Sequence, residues 1–284
     1  MNSLVQLNNV NKQYGSTRAL DGVTLEIPAG RIVGLVGPNG AGKTTMLRAL
    51  TGLIDYEGDI SILGVEPKND RPQLMNKTGV IHDIPVLPPW MTVAQVLQFQ
   101  GEIHTGFHRD QCKAMLKTTE ITFDKKIKHL SKGMKTQLHL AVVLSTDTQL
   151  LILDEPTHGL DILFRKRLYT AVLEDYFDET KSVLISTHQV EEVEHILTDV
   201  IFINHGKVVK YESMETLNEK YVLLTVNKEE AEKAQEFNPL TENSMLGKKI
   251  FLLKNPDRGK IEKLGEISTP SVSDIFMGLM GGAS

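Results

Sequence analysis

The sequence predicts an α/β fold built on buried parallel strands, with an antiparallel lead-in ahead of it and a small α+β appendage behind. Three features of the chain lead there. The segment Gly37-Pro38-Asn39-Gly40-Ala41-Gly42-Lys43-Thr44-Thr45 has the spacing G-x-x-x-x-G-K-[ST] and joins an apolar run at 31–36 to a helix-like run at 45–50. The runs Leu150-Leu151-Ile152-Leu153 and Ser182-Val183-Leu184-Ile185-Ser186-Thr187 are continuous rather than alternating, as in strands covered on both faces. Between these runs the apolar residues recur at helical spacing.

The first of these features carries the chemistry. Three glycines without a Cβ let the backbone curl around an anion with its N–H groups inward, and a helix starting near Gly42 adds its positive end. This predicts a site for the phosphates of ATP, with Lys43 reaching the β- and γ-phosphates and the Thr44 hydroxyl meeting Mg2+.

Composition narrows what surrounds the loop. With 284 residues, 40% hydrophobic and 24% charged, the chain has room for one large core and a small addition. A net charge of −5 leaves no electrostatic footprint for gripping nucleic acid. The single Cys112 has no internal partner for a disulfide, and the opening Met1-Asn2-Ser3-Leu4-Val5-Gln6 lacks the basic and apolar regions of a secretion signal. The expectation is a cytoplasmic protein. No run approaches the roughly 20 apolar residues that cross a bilayer, so any work at a membrane falls to a partner.

Along the chain, Val5-Gln6-Leu7 and Val23-Thr24-Leu25-Glu26-Ile27 alternate as half-exposed strands, with turns at Gly15 and Gly30. Tyr14 stands just before the first turn, where its ring either packs at the sheet end or stacks on adenine. Two short strands follow at 58–64 and 78–81, both expected to extend this first sheet. From Pro85 the pattern becomes helical, and residues 84–148 read as a helical subdomain inserted between strands. His104 and His108 have the four-residue spacing of a metal pair, but Gly106 weakens the helix between them, and both are expected in solvent.

Leu130-Ser131-Lys132-Gly133-Met134 opens another helix, with Ser131 as its N-cap. The buried run at 150–153 ends in Asp154 and Glu155, and ligands of parallel sheets bind beyond the carboxyl ends of the strands. Asp154 is therefore the candidate for Mg2+ and Glu155 for orienting or deprotonating the water that attacks the γ-phosphate. After a turn at Gly159-Leu160-Asp161 comes a basic helix at 164–173. The strand at 182–187 then ends in His188, whose imidazole offers one donor and one acceptor. A hairpin at 200–209 closes the core. Beyond about residue 215, strands at 221–226 and 249–253, a charged helix at 228–236 and an apolar helix at 272–279 make up the appendage.

Taken together, this order of motifs resembles the nucleotide-binding subunits of ATP-binding-cassette (ABC) transporters over residues 4–212. Gly37 to Thr45 is similar to the Walker A loop, Leu150 to Glu155 to Walker B, and Leu130 to Met134 to the signature segment. Asp161 corresponds to the D-loop aspartate, His188 to the switch histidine and Tyr14 to the adenine-stacking aromatic. The resemblance implies a P-loop NTPase fold, with a RecA-like core, an antiparallel β subdomain and an inserted α-helical subdomain, as one domain over 1–215 followed by the appendage at 216–284. It also implies a head-to-tail dimer, with a second copy or a sister subunit, in which each ATP lies between one Walker A loop and the other subunit's Ser131 and Gly133. A separate membrane-spanning subunit would dock on the helical subdomain. Two departures stand out: Lys132 and Met134 replace a glycine and a glutamine of the signature, and Asp83 replaces the Q-loop glutamine, where it would still meet Mg2+ or water. The tail, ending in a helix with Asp274-Ile275-Phe276, resembles those of bacterial exporters of drugs, antibiotics, peptides or polysaccharides. Cassette proteins of DNA repair or translation usually carry paired cassettes, a long coiled-coil insertion or zinc cysteines, and none of these is present.

Overall fold

The computed structural model describes residues 3–82, 87–157 and 162–281. Asp83 and Asp161 lie outside them.

The chain opens with two long antiparallel strands, β1 (Ser3–Tyr14) and β2 (Thr17–Pro28), joined at Gly15 and paired from Ser3↔Pro28 to Tyr14↔Thr17. They run further than the short alternating cores at 5–7 and 23–27 because bulges absorb the interruptions around Asn8 to Lys12. Next come β3 (Ile32–Val36), which is buried throughout, and α1 (Lys43–Leu50). The strand β4 (Glu57–Ile62) pairs with β1, which completes a three-stranded antiparallel sheet in the order β2-β1-β4.

A short helix α2 (Arg71–Met75), capped by Asp70, leads to β5 (Thr78–Ile81). Here the sequence expectation fails: β5 does not extend the first sheet but pairs in parallel with β6 (Leu150–Asp154). Its four residues carry no sign of partner or direction, and the choice is made by a strand some 70 residues later in the chain. Between β5 and β6 stand α3 (Val93–Ile103), α4 (Arg109–Leu116) and α5 (Lys132–Leu144), packed on a core of their own that includes Val93, Leu97, Cys112, Leu116 and Leu138. Thr92 and Gln95 cap α3 reciprocally, and the Ser131 hydroxyl accepts from the Met134 amide at the start of α5. Of the two histidines, His104 differs from the expected solvent exposure and His108 meets it. The helix α3 ends at Ile103, so they share no helix face, and His104 is half-buried with Nδ1 accepting from Gly106 N–H and Nε2 shut away from water. His108 is exposed and bonds Asp147 at 2.9 Å.

The helix α6 (Ile162–Ala171) runs into a wider π turn at Val172–Tyr176, followed by β7 (Ser182–Thr187), β8 (Asp199–Asn204) and β9 (Lys207–Ser213). The main sheet has the order β5-β6-β7-β3-β8-β9, parallel except for β9, which closes one edge as the far half of a hairpin. Its inner strands β6, β7 and β8 each carry a central run of Val, Ile, Leu or Phe and are buried along their length except at Asn204, as in strands covered on both faces.

A helix not foreseen from the sequence, α7 (Met214–Lys220), connects β9 to β10 (Tyr221–Asn227). Then follow α8 (Ala231–Gln235), β11 (Thr241–Met245), β12 (Lys248–Lys254), α9 (Arg258–Ile261), β13 (Glu266–Ser268) and α10 (Val272–Gly281). Their sheet has the order β11-β12-β10-β13. One small core, with Leu224, Phe251 and Ile261, belongs to this region alone. Tyr221, Leu252, Val272 and Ile275, by contrast, join the core that also holds Leu151, Val183 and Phe202 of the main sheet.

Candidate functional site

Three neighbouring strands, β6, β7 and β3, converge with their carboxyl ends on one cleft of about 460 Å3. The loop after β3 forms one wall. Its backbone is tied by Ala41 N–H to the Pro38 carbonyl at 3.1 Å, and Gly206 N–H, from the β8–β9 turn, donates to the Ala41 carbonyl at 2.9 Å. Gly42 has φ 109°, and a Cβ there would lie 2.5 Å from the Ala19 carbonyl, so only glycine lets the loop turn into α1 against β2. With no side-chain cap on α1, its first amides stay available to an anion.

Lys43 is buried and folds back over the loop, donating to the carbonyl of Gly37 at 2.7 Å and of Pro38 at 3.3 Å. Its Nζ also lies 3.7 Å from Glu155 Oε1. The other oxygen of that carboxylate, Oε2, is 2.7 Å from His188 Nδ1. Glu155 therefore links an ammonium to an imidazole across the cleft. Thr44 turns its hydroxyl to Asp154 Oδ1 at 3.4 Å, which pairs two hard oxygen ligands at the end of β6.

The cleft is lined by Pro38, Asn39, Gly40, Gly42, Lys43, Thr44, Thr45, Glu155 and His188 from the sequence prediction. Gly37 and Ala41 shape it from behind: Gly37 offers its carbonyl to Lys43, and the Ala41 side chain is buried in the core. Thr17 and Ala19 of β2 also line it, and sequence reasoning missed both. Their only sign was proximity to Tyr14 on a predicted hairpin. Tyr14 itself stands outside the lining, at the hairpin end, half-exposed with Lys12 Nζ 5.1 Å from its ring centre. Ser131 and Gly133 are not part of this cleft; they sit at the start of α5, and a Cβ on Gly133 would meet nothing within 4 Å among the described residues. No helix among the described residues is long and apolar enough to cross a membrane.

Comparison with known proteins adds descent to this geometry. Residues 20–158 match the family model described as ABC transporter, and residues 124–194 match one described as AAA domain, putative AbiEii toxin, Type IV TA system. The lantibiotic transport ATP-binding protein SrtF of Streptococcus pyogenes is 32% identical over 235 residues, covering 77% of this chain and 96% of that protein. The SkfA peptide export ATP-binding protein SkfE of Bacillus subtilis is 36% identical over 213 residues, covering 73% and 88%. Among solved structures, an ATP-binding cassette determined as a dimer in a post-hydrolysis state with ADP and Pi superposes with a TM-score of 0.64 at 25% identity, covering 74% of this chain and 98% of that one. An ATP-binding subunit of an ABC transporter superposes with a TM-score of 0.69 at 24% identity, over 76% and 92%. The cleft, the order of its motifs and these relatives place the chain in the ABC transporter family, as an ATP-binding, ATP-hydrolysing subunit.

Proposed function

We propose that the cleft binds ATP on the Walker A loop and hydrolyses it with Glu155 as general base, and that the energy drives export through a membrane-spanning partner. The observation that carries this reading is the position of Glu155 between Lys43 and His188. A carboxylate held there is aimed across the space that the loop amides prepare for a terminal phosphate. On arrival of ATP, Lys43 would exchange the carbonyls of Gly37 and Pro38 for phosphate oxygens. His188 would share its contact with Glu155 with the γ-phosphate.

Magnesium fits the residues present. It is commonly held by one or two protein oxygens together with phosphates and water, and the Thr44 hydroxyl and Asp154 carboxylate provide such a pair. When bound, the ion would neutralise charge developing on the phosphates. Asp83 is proposed as a third contact to the ion or its water. Tyr14 at the rim would take the adenine, with Thr17 and Ala19 beneath the ribose side of the nucleotide.

The rest of the pocket would come from a second subunit, whose Ser131 hydroxyl, Gly133 backbone and α5 amides meet the γ-phosphate, with Asp161 at the dimer seam. The bare surroundings of Gly133 support this, because nothing among the described residues of its own chain requires a glycine there. We assign residues 1–215 to the ATPase domain, with the helical subdomain at 84–148, and 216–284 to the appendage. The membrane partner would seat on the helical face that exposes Trp90, Phe99 and Ile103, large apolar side chains in contact with solvent. In that assembly the subunit is cytoplasmic and peripheral to the membrane. The export named for SkfE supports outward transport.

The test is Glu155→Gln in the full chain. It should bind ATP with Mg2+ as tightly as the wild type, hydrolyse it at least about 100-fold more slowly, as expected for loss of a general base, and accumulate as an ATP-bound dimer in size-exclusion chromatography. Hydrolysis at the wild-type rate would remove Glu155 from the role.

A further inference from the structure

Both Walker B acids are held by a side chain from the neighbouring strand. Ser186 faces Asp154 in the β6–β7 register and is fully buried. Its hydroxyl donates to Asp154 Oδ1 at 2.6 Å and accepts from the Glu155 amide at 3.1 Å. The directions are forced: an amide can only donate, so the hydroxyl proton is left for the carboxylate. The Ser186 carbonyl lies 3.2 Å from the same amide and shares it.

Two consequences follow for the site. The hydroxyls of Ser186 and Thr44 both reach Oδ1, which restrains the rotation of the Asp154 carboxylate and leaves Oδ2 clear of both. Glu155 has φ 48°, the left-handed region, which strains a residue with a Cβ and persists only where the surroundings hold it. Ser186 holds the Glu155 amide in that turn with both its oxygens. That backbone turn is what carries the Glu155 side chain away from β6 toward Lys43 and His188.

We propose that Ser186 is a positioning residue for ATP hydrolysis, its hydroxyl orienting Asp154 toward the metal and pinning Glu155 in the conformation that aims its carboxylate at His188. This rests on the reading of Asp154 and Glu155 given above. The two fail separately: a hydrolysing Glu155→Gln defeats that reading, whereas an inert Glu155→Gln beside an unimpaired Ser186→Ala defeats only this one.

The experiment compares Ser186→Ala, Ser186→Thr and Ser186→Val in the full chain. Threonine and valine have nearly the same shape, so their difference isolates the hydroxyl from the buried volume. Ser186→Thr should keep kcat within about threefold of wild type. Ser186→Ala and Ser186→Val should lose roughly 10- to 100-fold in kcat, the range expected for a hydrogen bond to a charged group, with KM for ATP within about threefold. Mn2+ titrated in the presence of ATP and followed by electron paramagnetic resonance reads the metal site without turnover. Its half-saturation should rise severalfold for alanine and valine but not for threonine. Equal losses in threonine and valine, or wild-type kcat and Mn2+ affinity in alanine, would overturn the proposal. Should crowding unfold both β-branched variants, Ser186→Ala decides alone, joint loss of kcat and Mn2+ affinity sustaining the assignment and their retention ending it.

Discussion

A Cβ built on Gly37 would stand 2.2 Å from the Ile203 carbonyl oxygen, whereas one built on Gly133 would meet nothing within 4 Å among the described residues. The same residue type thus serves the chain's own packing in one place and a surface in the other. Gly37→Ala should cost about 2–3 kcal/mol in urea unfolding, because β8 backbone cannot move aside, and should weaken ATP binding by displacing the loop. Gly133→Ala should leave stability unchanged or raise it by about 0.5–1 kcal/mol, since alanine suits a helix start better, while ATP hydrolysis falls at least about tenfold. A wild-type hydrolysis rate in Gly133→Ala would take that residue out of the composite pocket. These residues were legible in the sequence because each belongs to a motif with fixed spacing, Gly37 at the end of an apolar run and Gly133 two residues after a helix-capping serine. Ser186, Thr17 and Ala19 were not. A serine in a buried strand reads as packing, and the bond that gives it meaning crosses 32 positions to Asp154 on another strand.

At the scale of elements, the least legible feature was the company each strand keeps. Thr78–Ile81 was recognisable as a strand, yet only pairing with Leu150–Leu153 tells that it runs parallel in the main sheet. Its position there, beside α3 and α5, opens a second cleft of about 460 Å3 in which Thr78 Oγ1, His104 Nε2 and His139 Nδ1 are buried without partners. Burial pushes the His139 imidazole down to about 4, with the neighbouring His82 adding to the effect. His82 is itself lowered by burial and by Arg48 and Arg71, against the opposing pull of Asp154. The unfolded chain takes up a proton on such a histidine near pH 6.5, while folded His139 resists until about 4. Between those values the unfolded state binds more protons, so stability is intact above about pH 6.5 and declines as pH falls toward 4. His139→Gln should flatten that decline in a series of urea midpoints from pH 7 to pH 4.5. A variant whose midpoints run parallel to wild type across the series would show that His139 does not titrate this way. Expecting His104 in solvent failed for a related reason, although His108 is exposed as expected: spacing says nothing about where a helix stops, and this one stops at Ile103.

For the whole molecule the question is whether residues 216–284 hang from the ATPase as a tethered unit or fold with it. Periodicity identified strands and helices there but not how they are fastened, since that depends on contacts with residues far back in the chain. The fastening is α10. Val272 and Ile275 are buried in the same cluster as Phe202, Val183 and Leu151 of the main sheet, and the Phe276 ring stacks on Phe202 at 5.8 Å. Polar contacts reinforce it: Val272 N–H donates to Glu194 Oε1 at 3.1 Å and the Ser273 hydroxyl bonds Glu191, both acceptors lying just beyond His188. A shared apolar core couples unfolding of the parts it joins, because neither can expose its share without uncovering the other. Thermal unfolding of the full chain should therefore give one transition, seen at the same temperature by far-ultraviolet circular dichroism and by calorimetry. Ile275→Ala removes a fully buried side chain and should cost about 2–5 kcal/mol. Spread over a chain of this size, that should lower the single transition by roughly 5–15 °C. If Ile275→Ala instead splits the melt in two, with the upper component at the wild-type temperature, the appendage is an independent unit and the common core is not what holds the molecule together.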